Sequence, residues 1–239
     1  VAVRVLNSLT PEKSIDFLER LKIDVSFEKN KIKENRKEDI LSNLSLGYLK
    51  KGVSPLDLAG YYQIFANGGS YTEPYAVKKI TCGDNVIYEA KTEKEKIISK
   101  STSKIMNELL SLPVSSGGTA ENAAINGIQI RGKTGTTEGY KDNWFVGFTP
   151  EYICSVWYGF DESQESRQGN YAVEIFKGII EKINVDSKKN FFECKDVLRK
   201  KYCVYSGMLA EDGCNNTEYG FYDKNNIPDA CKLHNGESK

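Results

Sequence analysis

The sequence predicts an α+β fold, an antiparallel sheet flanked by helices, and three observations carry that expectation. Residues 128–158 hold three successive segments with strand character separated by short turns. Directly after them, residues 171–183 place Ala172, Ile175, Phe176, Ile179, Ile180 and Ile183 at helical spacing, which gives one apolar stripe to lay on a sheet. Upstream, two segments open with a capping residue followed by proline, the signature of a helix start. Strands grouped together and helices grouped around them are the pattern of an α+β domain.

In chain order, Val1 to Leu6 is mostly apolar and reads as the end of a helix that began upstream. Thr10-Pro11 opens a helix through about Lys22, with Ile15, Leu18 and Leu21 along one side. The run Lys29 to Asp39 is dense in charge of both signs and reads as a solvated loop or insertion. Ser54-Pro55-Leu56-Asp57 repeats the cap-and-proline signal and starts a helix to about Asn67, which Gly68-Gly69 stops. Tyr75 to Ile80 and Val86 to Tyr88 flank Gly83-Asp84-Asn85 as a hairpin. Ser101 or Ser103 caps a helix through Leu112, and Thr119 caps a short one. A strand from Ile128 to Thr137, a second from Trp144 to Phe148 and a third from Tyr152 to Tyr158 then form the meander. The domain boundary is expected at 185–190, with a body over 1–185 and a C-terminal extension over 186–239.

Composition excludes several classes of function. Lys+Arg and Asp+Glu number 33 each, so no net field gathers polyanions and nucleic acid is not an expected partner. His234, in the tail, is the single histidine, which argues against a Ser-His-Asp or Cys-His site and against a catalytic zinc centre built on imidazoles. Proton transfer in the body then falls to Lys, carboxylate or Tyr, and neither cofactor nor metal is expected. Cys154, on its strand, reads as a small buried hydrophobe. Cys194, Cys203, Cys214 and Cys231 crowd the last quarter without a C-x-x-C pair, although Cys231 and His234 together could supply two metal ligands. Two disulfides are the favoured expectation, because a loop-rich tail with little core gains from covalent closure; three connectivities remain open, and the compartment would be oxidising. The chain carries no apolar run near the length of a membrane span and begins with Val rather than Met, so it reads as a piece of a longer protein.

The stretch Gly132-Lys133-Thr134-Gly135-Thr136-Thr137 fits two motifs with unrelated chemistry. Backwards from Thr134, Gly127 to Thr134 matches the phosphate-loop pattern G-x-x-x-x-G-K-[ST]; forwards, Lys133-Thr134-Gly135 matches the third motif of the penicillin-recognising serine enzymes. A phosphate loop needs a buried strand before its first glycine and a helix starting at the lysine. Here Ile128 to Arg131 alternates apolar and polar residues, and Gly135-Thr136-Thr137 is a poor first helical turn, so Lys133 is expected on or just beyond a strand. Gly135 suits such a strand edge, since it leaves no Cβ in the way of another backbone approaching it.

Taken as an ordered set, Ser54 to Ala59, Phe65 to Gly69, Gly118-Thr119-Ala120, Gly132 to Thr137, Asp142 and Trp144 to Pro150 resemble the transpeptidase domain of class A penicillin-binding proteins, over roughly Val1 to His234. The tail, with Ser206 to Ala210 and Cys231 to His234, is similar to the C-terminal extensions of some members. This resemblance implies a peptidoglycan D,D-transpeptidase that takes acyl groups from D-Ala-D-Ala stems and is acylated by β-lactams. It further implies a parent chain with a glycosyltransferase domain and a membrane anchor, at the extracytoplasmic face of a bacterial membrane. Lys133 would reach the serine of the family's S-x-N motif and serve a proton relay. Thr134, Thr136 and Thr137 would hold the substrate with Gly135 beside them, and the main-chain N–H of Thr136 would be an oxyanion donor.

One departure is large: no S-x-N occurs in the chain. Ser101-Thr102-Ser103-Lys104 matches S-x-x-K by letter but lies where the family places a surface helix, and reads as a capping cluster. The nucleophile and second motif are therefore expected upstream of Val1. A D,D-carboxypeptidase, a non-catalytic penicillin-recognising sensor or scaffold, and more distantly a P-loop ATPase are the competing readings.

Overall fold

The computed structural model describes residues 2–34, 36–162 and 164–234 and divides into two compact units. One comprises residues up to 61 together with 71–97; the other comprises 62–70 and everything described from 98 onward. The boundary expected at 185–190 is not a division between units. Phe191, just past it, is 5% exposed and packs with Leu110 and Phe148, and Ser101 on the body donates a hydrogen bond to Asp223 in the tail, so apolar burial and polar pairing both tie the extension to the body.

In the first unit, helices α1 (Ala2–Leu9), α2 (Pro11–Arg20), α3 (Ser26–Lys33) and α4 (Lys37–Ser45) enclose Ile15, Leu21, Val25 and Ile40, each 3% exposed or less. The charged run expected as a loop is thus helical at both ends. Lys and Glu are good helix formers, and Ile40 supplies the apolar anchor. Asn35, between the two helices, lies outside the described residues. Thr10 precedes α2 with Pro11 at its first position, yet its side chain makes no capping bond and its φ is +83°.

Helix α5 (Pro55–Ala66) follows the sequence signal closely. Ser54 Oγ accepts from the Asp57 N–H at 3.1 Å and donates to Asp57 Oδ2 at 2.6 Å, while the Ser54 N–H reaches the same carboxylate at 3.3 Å. This is a reciprocal capping box, with Asp in place of the usual Glu. Ser54→Ala is expected to cost about 1 kcal/mol of unfolding free energy in denaturant titration, the loss of one N-cap. Beyond α5, Gly68 and Gly69 take φ of +83° and +101°, and a Cβ on Gly69 would lie 2.2 Å from the Ile98 carbonyl oxygen, so glycine is required there. Strand β1 (Ser70–Tyr71) follows. The expected hairpin is present as β2 (Lys79–Cys82) and β3 (Asn85–Glu89), with Gly83-Asp84 as its turn, and β4 is Glu95–Lys96.

The second unit holds the meander. After α6 (Lys100–Leu109) and two short 3₁₀ turns, β5 (Arg131–Thr136), β6 (Asp142–Phe148) and β7 (Ile153–Gly159) form an antiparallel sheet in that order, and β5 is an edge. Helix α7 (Tyr171–Lys182) covers it. The stripe that faces the sheet is Ala172, Val173, Phe176 and Ile180; Ile175 and Ile179, expected in it, are 43% and 39% exposed. The helix is rotated so that Phe176 meets Phe145 edge to face, with ring centroids 4.9 Å apart, which outweighs burial of two isoleucines. Cys154 packs against this core as the sequence suggested, and burial pushes its thiol pKa up. In the tail, β8 (Val197–Cys203) and β9 (Thr217–Asp223) form a second antiparallel hairpin.

Candidate active site

Strand β5 carries the motif, and its register fixes which atoms it offers. Lys133 pairs with Val146, Thr134 with Phe145, Gly135 with Trp144 and Thr136 with Asn143. The Gly132 N–H donates to the Leu110 carbonyl at 2.8 Å, on the side away from β6, so Gly132 sits at a position that does not bond to its partner strand. Antiparallel ladders alternate, so the main-chain groups of Thr134 and Thr136 face that same outer side. The Lys133 ammonium confirms the sense of it by donating to the Thr134 carbonyl at 2.7 Å. Lys133 is exposed and sits in a strand that ends in a 3₁₀ turn at Glu138–Tyr140, not at the mouth of an α-helix. That geometry removes the phosphate-loop reading, whose backbone cradle requires a helix N-terminus after the lysine.

Across the outer edge lies Thr119. Its hydroxyl is 3.1 Å from that of Thr134, and its carbonyl accepts from Asn170 Nδ2 at 3.4 Å. Thr119 does not cap the short turn Glu121–Ala123 as the sequence suggested; Ala120 occupies the cap position, and the hydroxyl is used against β5 instead. Gly118 makes this approach possible, since a Cβ there would come within 2.3 Å of the Pro113 carbonyl oxygen. Sequence reasoning grouped Gly118-Thr119-Ala120 with the motif set but did not foresee that its hydroxyl meets Thr134.

The far end of β5 is held by Asp142. One carboxylate oxygen accepts from Thr137 Oγ1 at 2.9 Å and the other from Trp157 Nε1 at 2.9 Å, and the Asp142 N–H returns to Thr137 Oγ1 at 2.8 Å. Asp142 therefore anchors the turn into β6, as expected of it. Thr137 spends its hydroxyl in this anchor, whereas it was expected among the substrate-binding residues. Gly135 faces Trp144, whose Cβ would be 3.3 Å from an added Cβ, and Trp144 leans on Trp157.

Behind β5, Arg131 links the strand to α6. Its Nε donates to Asn107 Oδ1 at 3.3 Å, its guanidinium lies over the Phe191 ring, and Glu108 is 3.8 Å away. Burial pulls the guanidinium pKa down and the Glu108 charge opposes it. Asn107 is fully buried and donates to the Phe65 carbonyl at 3.2 Å. The S-x-x-K look-alike belongs to this framework. Ser101 donates to Asp223, Lys104 is 9% exposed and pairs with Glu108 at 2.8 Å, and the cap of α6 is Ser99 rather than Ser101 or Ser103. Ser103 is buried and donates to the Ile64 carbonyl at 2.6 Å. Tyr62 packs on Phe65 and Phe148, and burial pushes its pKa up to about 12, in keeping with a packing role.

Comparison with known proteins finds relatives of the chain in sequence and in fold. A family model described as the penicillin binding protein transpeptidase domain matches residues 3–181. Penicillin-binding protein 1A of Clostridium botulinum is 35% identical over 164 residues, 68% of this chain and 19% of that protein. Penicillin-binding protein 1A/1B of Bacillus subtilis is 28% identical over 215 residues, 82% of this chain and 22% of that protein. The chain thus spans about a fifth of the length of these relatives. A 2.6 Å crystal structure of Penicillin-Binding Protein 1A from Haemophilus influenzae superposes with a TM-score of 0.70 at 19% identity, over 97% of this chain and 39% of that one, which establishes likeness of fold.

Proposed function

Because the chain belongs to the penicillin-binding protein transpeptidase family, we propose that it forms the K-T-G side of the acylation site of a serine-type peptidoglycan D,D-transpeptidase. The observation that carries this reading is the outer edge of β5, where the Lys133 ammonium reaches the Thr134 carbonyl, the Thr134 hydroxyl meets that of Thr119, and the register turns the main-chain N–H of Thr136 to the same side. In the proposed reaction a serine hydroxyl attacks the carbonyl of a D-Ala-D-Ala stem, D-Ala leaves, and an amine of a second stem takes the acyl group. Lys133 holds the proton relay that a histidine-free site needs, and the Thr134 and Thr136 hydroxyls bind the terminal carboxylate. The Thr136 N–H stabilises the oxyanion, a contribution of about 3 kcal/mol when one such donor is lost. Thr137 supports the site through Asp142 and orders the end of the strand. Gly135 leaves the edge open for a peptide to lie antiparallel along it.

The attacking serine and the S-x-N motif are assigned to polypeptide outside these 239 residues. Ser101 is no substitute, because its hydroxyl and the ammonium of Lys104 are both committed to carboxylates. The parent protein is proposed to carry a glycosyltransferase domain and an N-terminal anchor and to work outside the bacterial membrane. No helix among the described residues is long and apolar enough to cross one.

Fluorescent penicillin tests the assignment. The complete protein is expected to be labelled covalently, and the 239-residue chain alone is expected to remain unlabelled. Labelling of the chain alone that disappears in Ser101→Ala would instead place the nucleophile on α6. A complete protein that takes up no label would favour the sensor or scaffold reading, and release of D-Ala without cross-linked product would favour the carboxypeptidase.

A further inference from the structure

The described cysteines are all free thiols, and three of the four expected in disulfides converge on the single histidine. Cys203 ends β8, Cys214 sits in the connection between β8 and β9, and Cys231 and His234 follow β9. Their sulfurs lie 3.5, 3.4 and 3.4 Å from His234 Nδ1, and all four ligand atoms fall within 4.8 Å of one another. Cys194 is outside the group.

We propose that Cys203, Cys214, Cys231 and His234 Nδ1 bind one Zn²⁺ ion in a closed structural site. Zn–S bonds of about 2.3 Å and a Zn–N bond of about 2.0–2.1 Å at tetrahedral angles give sulfur-to-nitrogen edges of about 3.6 Å, and the three observed separations fit that figure. Three thiolates and one imidazole make a complete tetrahedral set with no open position, the pattern of a structural rather than catalytic centre. Thiolate ligands select zinc over the hard cations magnesium and calcium. A disulfide would join two of the sulfurs and leave a third thiol and the imidazole crowded against it with nothing to bind.

The surrounding backbone is shaped to hold these ligands. The Glu211 N–H points at Cys214 Sγ from 3.5 Å, the kind of support a metal-bound thiolate receives. Cys203 closes a tight turn, its N–H bonded to the Met208 carbonyl and its carbonyl to the Gly207 N–H, both at 2.8 Å, with Gly207 at φ +72°. The Cys231 N–H bonds the Leu209 carbonyl at 2.8 Å. A Cβ on Gly213 would lie 2.4 Å from the His234 carbonyl oxygen, so glycine next to Cys214 lets the histidine segment close over the site. Cys203 and Cys231 are fully buried, although Cys203 is the one buried residue of β8 and β9. Metal binding would supply the closure that apolar burial does not. The ligands are separated by ten, sixteen and then two residues because the hairpin brings three separate segments together.

The 239-residue chain, purified with reductant and without chelator, is expected to carry about one zinc per molecule by plasma mass spectrometry. Replacing zinc with Co²⁺ is expected to give the visible bands of a tetrahedral ion and thiolate-to-cobalt charge transfer near the ultraviolet. Cys214→Ser and His234→Ala are expected to lose stoichiometric metal through gel filtration, and Cys194→Ser to retain it. The cobalt spectrum of the unaltered chain decides the matter even if a variant fails to fold. An octahedral cobalt spectrum would overturn the site, as would metal-free protein whose Cys203, Cys214 and Cys231 are alkylated without denaturant or recovered as disulfide-linked peptides. Zinc retained undiminished in both ligand variants would overturn it too.

Discussion

Lys133→Ala in the complete protein is expected to lower the rate of acylation by fluorescent penicillin about 10²- to 10⁴-fold, the range that general acid–base groups contribute. The expectation rests on position. Lys133 is the one cation of the β5 motif segment Gly132–Thr137, its side chain is exposed, and its ammonium already reaches over the strand edge to the Thr134 carbonyl. The body of the chain has no histidine to take over proton transfer. Its stability should scarcely change, because an exposed lysine on an edge strand packs against little. Thermal unfolding within a degree or two of the unaltered protein, together with slow labelling, is therefore the expected pair of results. Labelling at the unaltered rate would remove Lys133 from the chemistry and leave it the ordinary task of an edge-strand lysine, discouraging aggregation.

What the sequence made legible follows how local each signal is. The Ser54-Pro55 start, the Gly83 turn, the three meander strands and helix α7 are written in capping residues, turn residues and periodicity over a dozen positions or fewer, and each stands within a few residues of its expected place. The placement of Lys133 on a strand followed from the alternation of Ile128 to Arg131 and from the poor helical start of Gly135-Thr136-Thr137, which together separated two motifs with incompatible chemistry, although β5 itself begins only at Arg131. Partners far apart in the chain were not legible. Thr119 lies 15 residues before Thr134 and Ser101 lies 122 before Asp223, and nothing local to any of them announces the pairing. The face of α7 depended on Phe145 selecting Phe176 across space. Likewise, Cys203, Cys214, Cys231 and His234 meet only because β8 and β9 pair.

Gly132 and Phe145 show how the core behind the site constrains its motif, and their substitution gives the largest stability effects expected. Phe145 is fully buried, stacked edge to face on Phe176, and paired across the ladder with Thr134. Phe145→Ala is expected to cost about 3–5 kcal/mol in denaturant unfolding of the 239-residue chain. Gly132→Ala is expected to cost about 1–3 kcal/mol, because its new Cβ would lie 2.6 Å from Phe145 Cζ and 2.8 Å from the Val146 carbonyl oxygen. The two clashes differ in kind. A truncated Phe145 removes the ring, and the methyl of Gly132→Ala then fills part of the space it left; the Val146 carbonyl stays where the ladder holds it. The double variant should therefore be more stable than the sum of the single losses by at least about 0.5 kcal/mol, without recovering the cost of Phe145→Ala alone in full. Additivity within about 0.3 kcal/mol would mean that the glycine is required by the Val146 carbonyl alone. The coupled result would mean that the residue preceding Lys133 is fixed by an aromatic ring one strand away, so that core packing sets the line of the edge on which the motif is presented.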